Sequence, residues 1–454
     1  MLSLRPSHLA ERFGSAFTSP FESQFYTQAA PRLIWRAPQS YLPKMKWWLA
    51  SLLFALVFVL PFYAQWLCEG LSLEMPKWLM SLLGILSIAS LLFTPKNRRL
   101  SVGFFVGVLW FYWIGLGLRY FDMSALIPLV VVLEGGLIAL VFYVGLWCEC
   151  FVWRFAFLML LSFFTPLGFD WIVPESVFAY SYVGVDKLSF AFVIIALWSG
   201  LHLVRFFKFF ALLPLLLALD SATFHTPPPA PLPLKIKLIQ SAVSQDIAYR
   251  MRNLDSIFRH YVFEDIARAI EEGYDVVVLP ESAFYVPLDS PYFAYFDELM
   301  EMSERIVIIA GALRAEVDSS GRASYFNSTY KFDRGQVEHI DKVLLVPFGE
   351  RLPSFLLPVV ERVFQGVGGF SAGEGFKYFE IKGARFKNAV CYEGSNREFY
   401  ADSPRYVLMT SNNAWFVPSL EPILQKNLMK YYARLYGSTI LHATNLSPSG
   451  VISP

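Results

Sequence analysis

The sequence predicts a polytopic α-helical membrane domain followed by an α/β domain, and two observations carry that prediction. Of 454 residues, 55% are hydrophobic, 17% aromatic and only 17% charged, with a mean hydropathy of +0.44. That is far more apolar than an average soluble domain. The apolar density is also uneven. From Lys46 to Asp220 it forms segments long enough to cross a bilayer, whereas from about Lys235 onward short apolar runs alternate with charged, amphipathic ones.

Seven candidate spans fall at roughly 46–66, 77–94, 102–118, 125–147, 152–167, 187–202 and 205–220. Lys and Arg concentrate in alternate connections: Arg32, Arg36, Lys44 and Lys46 before the first span, "KNRR" at 96–99, Arg154, then Arg205 and Lys208. The intervening loops carry Glu69, Glu74, Asp122 and "DWIVPES". Basic loops stay in the cytoplasm, so an odd number of spans places everything after Asp220 on the far side, the periplasm of a Gram-negative-type inner membrane. Residues 1–45, with apolar positions broken by Arg, Glu and Pro, lack a signal-peptide profile and read as a cytoplasmic extension. The first span then serves as an uncleaved signal anchor.

The join is "HTPPPAPLPLK", 225–235, within a linker placed at 221–234; proline at this density favours an extended spacer. Behind it, strand-like runs fall at 235–240, 274–280, 305–312, 324–332, 387–392, 406–411 and 438–444. Amphipathic helical stretches at 248–272 and 420–436 lie between them. Alternating strands and helices predict one α/β domain over 235–454.

A net charge of +1, with no basic stretch interleaved with stacking aromatics, argues against nucleic acid. The four cysteines, at 68, 148, 150 and 391, have neither the number nor the spacing of a disulfide framework or zinc site, and the six histidines are scattered. No metal or other cofactor is expected.

Three polar residues stand at the ends or edges of apolar strands: Glu281 after "DVVVLP", Lys342 before "VLLVPFGE" and Cys391 after "KNAV". Each alone reads more simply as a strand-end carboxylate, an edge lysine and a small buried hydrophobe. Together they supply the parts of acyl transfer through a thioester. A carboxylate raised by burial takes the thiol proton, and a fixed cation steadies the oxyanion of the tetrahedral intermediate. No histidine lies near Cys391 in sequence, although spacing alone leaves a Cys-His arrangement open.

"VLPES" with Glu281, "DKVLLVPFGERLP" with Lys342 and Glu350, and "VCYEGSNRE" with Cys391 resemble the Glu-Lys-Cys set of the nitrilase, or carbon–nitrogen hydrolase, superfamily. The wording "LVPFGE" and "CYE" behind a multi-span domain resembles the apolipoprotein N-acyltransferases within it. "FTPLGFDWIVPES" at 164–176 is similar to a loop between that family's late spans, and "SNNAWF" at 411–416 to its motif after the nucleophile strand. The resemblance implies a nitrilase-like αββα sandwich held over the outer leaflet and a ping-pong reaction. Glu281 would deprotonate Cys391, the thiolate would take an acyl chain from a phospholipid such as phosphatidylethanolamine, and Lys342 would hold the oxyanion. The α-amine of a diacylglyceryl-cysteine on an apolipoprotein would then accept the chain. Glu350 would orient Lys342 or share a proton, Tyr392 and Glu393 would shape the pocket, and the enzyme would act as a monomer.

Both substrates carry long acyl chains, and each CH₂ lifted into water costs about 0.8 kcal/mol, so the site must meet the bilayer. The apolar, Gly-containing stretch 352–376 reads as a lid or arm dipping into the interface. The chain departs from the family pattern in having Asn413 and Val417 where Asp and Gly are expected. It also reaches Pro454 where the family continues with another strand and a final membrane helix. Two other readings use the same residues: a membrane-tethered amidase or nitrilase with water as acceptor, and a nonenzymatic transporter or scaffold. Few ionisable residues apart from Glu134 and Glu149 lie in the spans, which argues against transport.

Overall fold

The computed structural model describes residues 46–203, 209–224, 232, 234–288, 295–317, 319, 321, 323–347, 349–350 and 369–454. Lys46–Pro454 form one compact unit. Most of the 352–376 stretch, the proline-rich core of the linker and the first 45 residues lie outside the described residues.

Six expected spans are helices: α1 (Trp47–Gly70), α2 (Lys77–Leu92), α3 (Arg99–Phe111), α4 (Ile127–Gly145), α5 (Phe151–Leu161) and α6 (Lys187–His202). Four helical stretches, Trp47–Gly70, Lys96–Tyr120, Ser124–Gly145 and Phe151–Gly168, are long and apolar enough to cross a membrane by length and composition. Among the described residues these correspond to four of the seven expected spans. α2 and α6 have 16 residues each, about 24 Å of helix against a hydrocarbon core of about 30 Å. The seventh expected span falls partly on undescribed residues, and its described remainder holds only α7 (Leu212–Leu217). Leu53, Leu56, Leu60, Val132, Leu133, Leu140 and Val144 face outward, as lipid-facing positions do. α3 meets α4 through Gly103 and Gly107, where a Cβ would come within 2.7 Å of Phe142 and 2.9 Å of the Glu134 carbonyl, respectively. Small residues four apart let two membrane helices approach this closely.

Past the linker, β1 (Ile236–Leu238) and β2 (Gln240–Ser241) lead to α8 (Ile247–Arg252), α9 (Leu254–Phe258) and α10 (Glu264–Glu271), so the helix expected at 248–272 is broken into pieces. Then follow β3 (Val276–Val278), β4 (Phe284–Pro287), α11 (Phe296–Ser303), β5 (Val307–Val317), β6 (Ala323–Asp333) and β7 (Gln336–Asp341). β8 (Tyr378–Ile381), β9 (Ala384–Val390), β10 (Tyr406–Asn412), α12 (Glu421–Tyr436), β11 (Thr439–Asn445) and β12 (Gly450–Ile452) complete the chain. All seven expected strands form. The additional ones are short, or, like β7, exposed along most of their length and so without an apolar signature. One of them, β12, is a further strand after "ATNLSPS", where none was expected.

The strands make two six-stranded sheets, ordered β1-β3-β5-β6-β7 with β4 beside β5, and β12-β11-β10-β9-β8 with β2 beside β11. Strand side chains alternate faces, and the alternation defines the layers. Val276, Val278, Val307 and Ile309 of the first sheet pack against Phe386, Leu408, Leu441 and Ala443 of the second. The intervening Val277 and Ile308 face Ile266, Ala269 and Leu299 of the helices outside the first sheet. On the far side, Val407, Met409 and Ile440 face Leu424, Leu428 and Tyr432 of α12, in an apolar core continuous with Phe58 and Trp110 of the membrane helices and Phe178 of the loop between α5 and α6. The fold is therefore an αββα sandwich whose second helical layer is seated directly on a polytopic membrane domain.

Candidate active site

The paired sheets bring the three sequence-predicted residues to one end of the sandwich. Glu281 follows β3 in the first sheet, Lys342 follows β7 in the same sheet, and Cys391 follows β9 in the second. Lys342 Nζ lies 3.8 Å from Glu281 Oε1 and 2.6 Å from Glu350 Oε2. Glu281 and Lys342 are buried, whereas Cys391 is partly exposed. Cys391 has a left-handed φ of +51° where β9 turns into a short 3₁₀ segment. That conformation costs a non-glycine residue on the order of 1–3 kcal/mol and is held only where surrounding structure demands it.

Glu281 is fixed by two donors. The Asn327 amide donates to Oε1 at 2.7 Å and the Asn412 backbone N–H to Oε2 at 2.7 Å. β5 passes so close beneath it that a Cβ on Gly311 would lie 2.6 Å from the Glu281 Cα. Burial pushes the Glu281 carboxyl above its usual value and Glu350 adds to this, while Lys342 pulls the other way. Burial also raises the Cys391 thiol well above normal, with Glu281 adding to the rise and Lys342 opposing it. For Lys342, burial works against the charged form, but Glu350 and Glu281 outweigh it and hold the ammonium protonated. Glu350 Oε2 is within hydrogen-bond distance of the ammonium, which carries three N–H donors and so has others to offer an incoming oxygen.

Glu350 Oε1 accepts from the same Asn327 amide at 3.0 Å and Oε2 from the Val346 N–H at 2.9 Å, so the "VPFG" turn folds back to place it beside Lys342. Glu393 is held by three backbone N–H groups. One carboxylate oxygen accepts from the Val343 and Leu344 N–H groups and the other from Val390 N–H, tying the nucleophile turn to the segment that follows Lys342. Tyr392 points away toward the membrane domain. Its hydroxyl donates to Asp170 Oδ1 or the Gly168 carbonyl, each at 2.9 Å, and its ring stacks with Phe169 and Trp171.

Several participants were invisible in sequence. Asn327 lies mid-strand in β6 and bridges both glutamates. Asn412 lies in the quoted "SNNAWF", yet contributes through its backbone, while Asn413 instead donates to Ser447 Oγ at 3.0 Å. Gln425 on α12 donates to Cys391 Sγ at 3.6 Å. Asp170 sits in the quoted "FDW". Nothing local marks Asn327, since β6 also carries Ser324, Ser328, Thr329 and Lys331. Nothing local marks Gln425 either.

The membrane domain grips this end of the sandwich. Past α3 the chain continues as a 3₁₀ segment, Tyr112–Phe121, from which Tyr120 donates to the Ala414 carbonyl at 2.9 Å and Arg119 to the carbonyls of Trp415 and Val417. Trp171 donates to Ser395 Oγ at 3.0 Å, beside the nucleophile turn.

A thiol, a buried carboxyl and an enclosed ammonium at the strand ends of an αββα sandwich, seated on a multi-pass membrane domain, define a membrane-bound nitrilase-like acyltransferase. Residues 45–221 match the apolipoprotein N-acyltransferase integral membrane domain. The chain is 66% identical over 396 residues to the apolipoprotein N-acyltransferase of Helicobacter hepaticus, spanning 87% of this chain and 99% of that one. It is 38% identical to that of Wolinella succinogenes over 83% and 90% of the two chains. The chain belongs to the apolipoprotein N-acyltransferase family. A solved carbon–nitrogen hydrolase superfamily protein from Xanthomonas campestris overlaps 48% of this chain and 82% of its own at 18% identity and a TM-score of 0.34, too slight a likeness to argue from.

Proposed function

We propose that this enzyme transfers an acyl chain from a phospholipid, with phosphatidylethanolamine as the donor, to the α-amine of a diacylglyceryl-cysteine on an apolipoprotein, by a ping-pong thioester route. The observation that carries the reading is the convergence of Glu281, Lys342 and Cys391 in a chain 66% identical to an apolipoprotein N-acyltransferase. Glu281, held in a setting that raises its basicity, takes the Cys391 proton. The thiolate attacks the ester carbonyl, and the charged Lys342 ammonium neutralises the oxyanion. Glu281 returns the proton to the departing lysophospholipid oxygen. The amine then attacks the thioester, with the same groups working in reverse.

Glu350 and Asn327 position Lys342 and Glu281, Glu393 positions the loop after Lys342 against the nucleophile turn, and Tyr392 anchors that turn to the membrane domain. In this reading residues 46–220 form the membrane domain, 221–234 the linker and 235–454 the catalytic domain on the periplasmic face of the inner membrane. Residues 1–45 form a cytoplasmic extension, and the enzyme works as a monomer. The test is intact-mass spectrometry of wild type and Cys391→Ser after incubation with phosphatidylethanolamine. A hydroxylamine-labile acyl adduct on the wild type alone supports the thioester. No adduct on correctly folded wild type refutes it.

A further inference from the structure

The first turn of α12 carries a carboxyl that the scheme above leaves idle. Glu421 is 2% exposed, and its Oε2 has no hydrogen-bond partner among the described residues. The other carboxylates of the site are satisfied: Glu281 by Asn327 and Asn412, Glu350 by Asn327 and Val346, and Glu393 by three backbone N–H groups. Glu421 lies one helical turn before Gln425, whose amide touches Cys391 Sγ, and residues four apart share a helix face. Glu281, from the end of β3, acts on Glu421, and Glu421 in turn acts on Cys391, from the end of β9. A buried carboxyl oxygen left open beside a nucleophile is costly to keep unless something fills it during turnover.

Proton counting shows what would fill it. The donor half-reaction moves one proton, from Cys391 to Glu281 to the leaving oxygen. The acceptor half-reaction moves two. An α-ammonium has no lone pair, so one proton must leave nitrogen before attack, and a second leaves after the C–N bond forms and must reach Sγ as the C–S bond breaks. Glu281 serves the second transfer. We propose that Glu421 is the base for the first, its carboxylate Oε2 receiving the proton of the incoming α-ammonium; this rests on the ping-pong reading above. As Oε2–H forms, the N–H bond breaks and the neutral amine attacks the thioester carbonyl. Glu421 releases its proton to solvent once the amide has left. Thioester plus ammonium thus gives amide, Cys391 thiol and one proton. Burial first, and then the charge of Glu281, raises the Glu421 carboxyl to about 8, close to the α-amine it would serve at roughly 7.7–8.0. Transfer between them is therefore nearly balanced.

The experiment loads the full chain with phosphatidylethanolamine, verifies the thioester by intact mass, and then adds either a synthetic diacylglyceryl-cysteine peptide or dilute hydroxylamine. Hydroxylamine is already neutral at pH 7 and needs no base before it attacks. For Glu421→Gln the thioester is expected to form, release to the peptide at pH 7 to slow about five- to tenfold, the ceiling set by the fraction of α-amine already neutral at that pH, with the deficit closing toward pH 9, and release to hydroxylamine to fall less than threefold. Glu421→Asp, which keeps a carboxyl, should recover part of the peptide rate. Equal losses with both nucleophiles, an unchanged peptide rate, or a variant that cannot load while wild type does would overturn the role of Glu421. Wild type that never loads would overturn the ping-pong reading itself.

Discussion

Lys342 Nζ lies 2.6 Å from Glu350 Oε2, with the lysine side chain wholly enclosed and the glutamate only 14% exposed. Removing one partner of a buried pair leaves an uncompensated charge, which costs far more than the pair contributes. Glu350→Gln keeps the Asn327 contact through its amide oxygen but strips the charge, so Lys342 turns to Glu281 and stabilises the ionised base at the expense of its basicity. At about 1.5–3 kcal/mol for a charged contact, thioester formation should fall about 10- to 150-fold. Rates within threefold of wild type would show that Glu350 does not support Lys342.

The Glu281 carboxyl is raised by burial and by Glu350, and its ionised form is the base. Acylation therefore declines as pH falls through its elevated value, so the acid limb of the rate profile should lie above the usual 4.5 of a glutamate. Lys342 is pushed upward and contributes no limb below it. Glu281→Gln should slow acylation by about 10²- to 10⁴-fold and abolish that limb. A limb persisting in the variant would assign it to another group.

Gly311 is the point where β5 passes under the catalytic carboxylate. In Gly311→Ala the new methyl would meet the Glu281 Cα at 2.6 Å, and the neighbours are backbone atoms of residues 280–282 that have little room to yield. Overpacking of this kind costs about 1–3 kcal/mol. Activity should fall by more than tenfold while the melting temperature drops by only a few degrees. Unaltered activity would mean that the position of Glu281 is not critical.

Tyr392→Phe preserves stacking on Phe169 and Trp171 but leaves Asp170 without the phenol. Asp170 is already raised to about 6, burial being the main cause. Losing a donor to a buried acceptor costs roughly 1–3 kcal/mol, so the melting temperature should fall, and by more at pH 8, where Asp170 is ionised, than at pH 5. A pH-independent loss would mean that the hydroxyl does not steady the Asp170 charge.

Glu421 makes a stability prediction separate from its kinetic one. Its folded-state value, about 8, lies above the 4.5 of an unperturbed glutamate. Its contribution to stability is therefore fully present below about 4.5 and is lost as pH rises through 8. At about 1.4 kcal/mol per unit the loss has a ceiling of about 5 kcal/mol. Glu421→Gln, which cannot ionise, should gain melting temperature relative to wild type between pH 5 and pH 9. No pH dependence in that difference would show that Glu421 is not held in an apolar setting.

Much of the architecture was legible because its signals are local. All seven expected strands formed, since runs such as "DVVVLP" and "YVLMTS" need only a buried pleated surface to declare themselves. Short or exposed strands such as β7 and β12 escaped because they are specified by their partners. The single helix expected at 248–272 is interrupted at Asn253 and by a π-turn at Arg259–Phe263. Apolar composition marked α2 and α6 as spans without registering that each helix has only 16 residues.

By itself the sequence determined the division into a membrane half and an α/β half, and it placed Glu281 and Cys391 just past buried strands, whereas Lys342 follows the exposed β7 and not the edge of an apolar strand. It could do so because hydropathy and strand alternation are properties of neighbouring residues. Only the tertiary structure decided that Asn327 would bridge Glu281 and Glu350, that Glu393 would bind backbone, that Asp170 would reach Tyr392, and that Gln425 would contact the nucleophile. Those relationships arise where two sheets stack and a helix and a membrane loop close over their ends. They join residues from as few as three positions apart, in Val390 and Glu393, to more than two hundred, in Asp170 and Tyr392. Packing selects such partners by shape and unmet polarity, and neither is written in the local pattern of a chain.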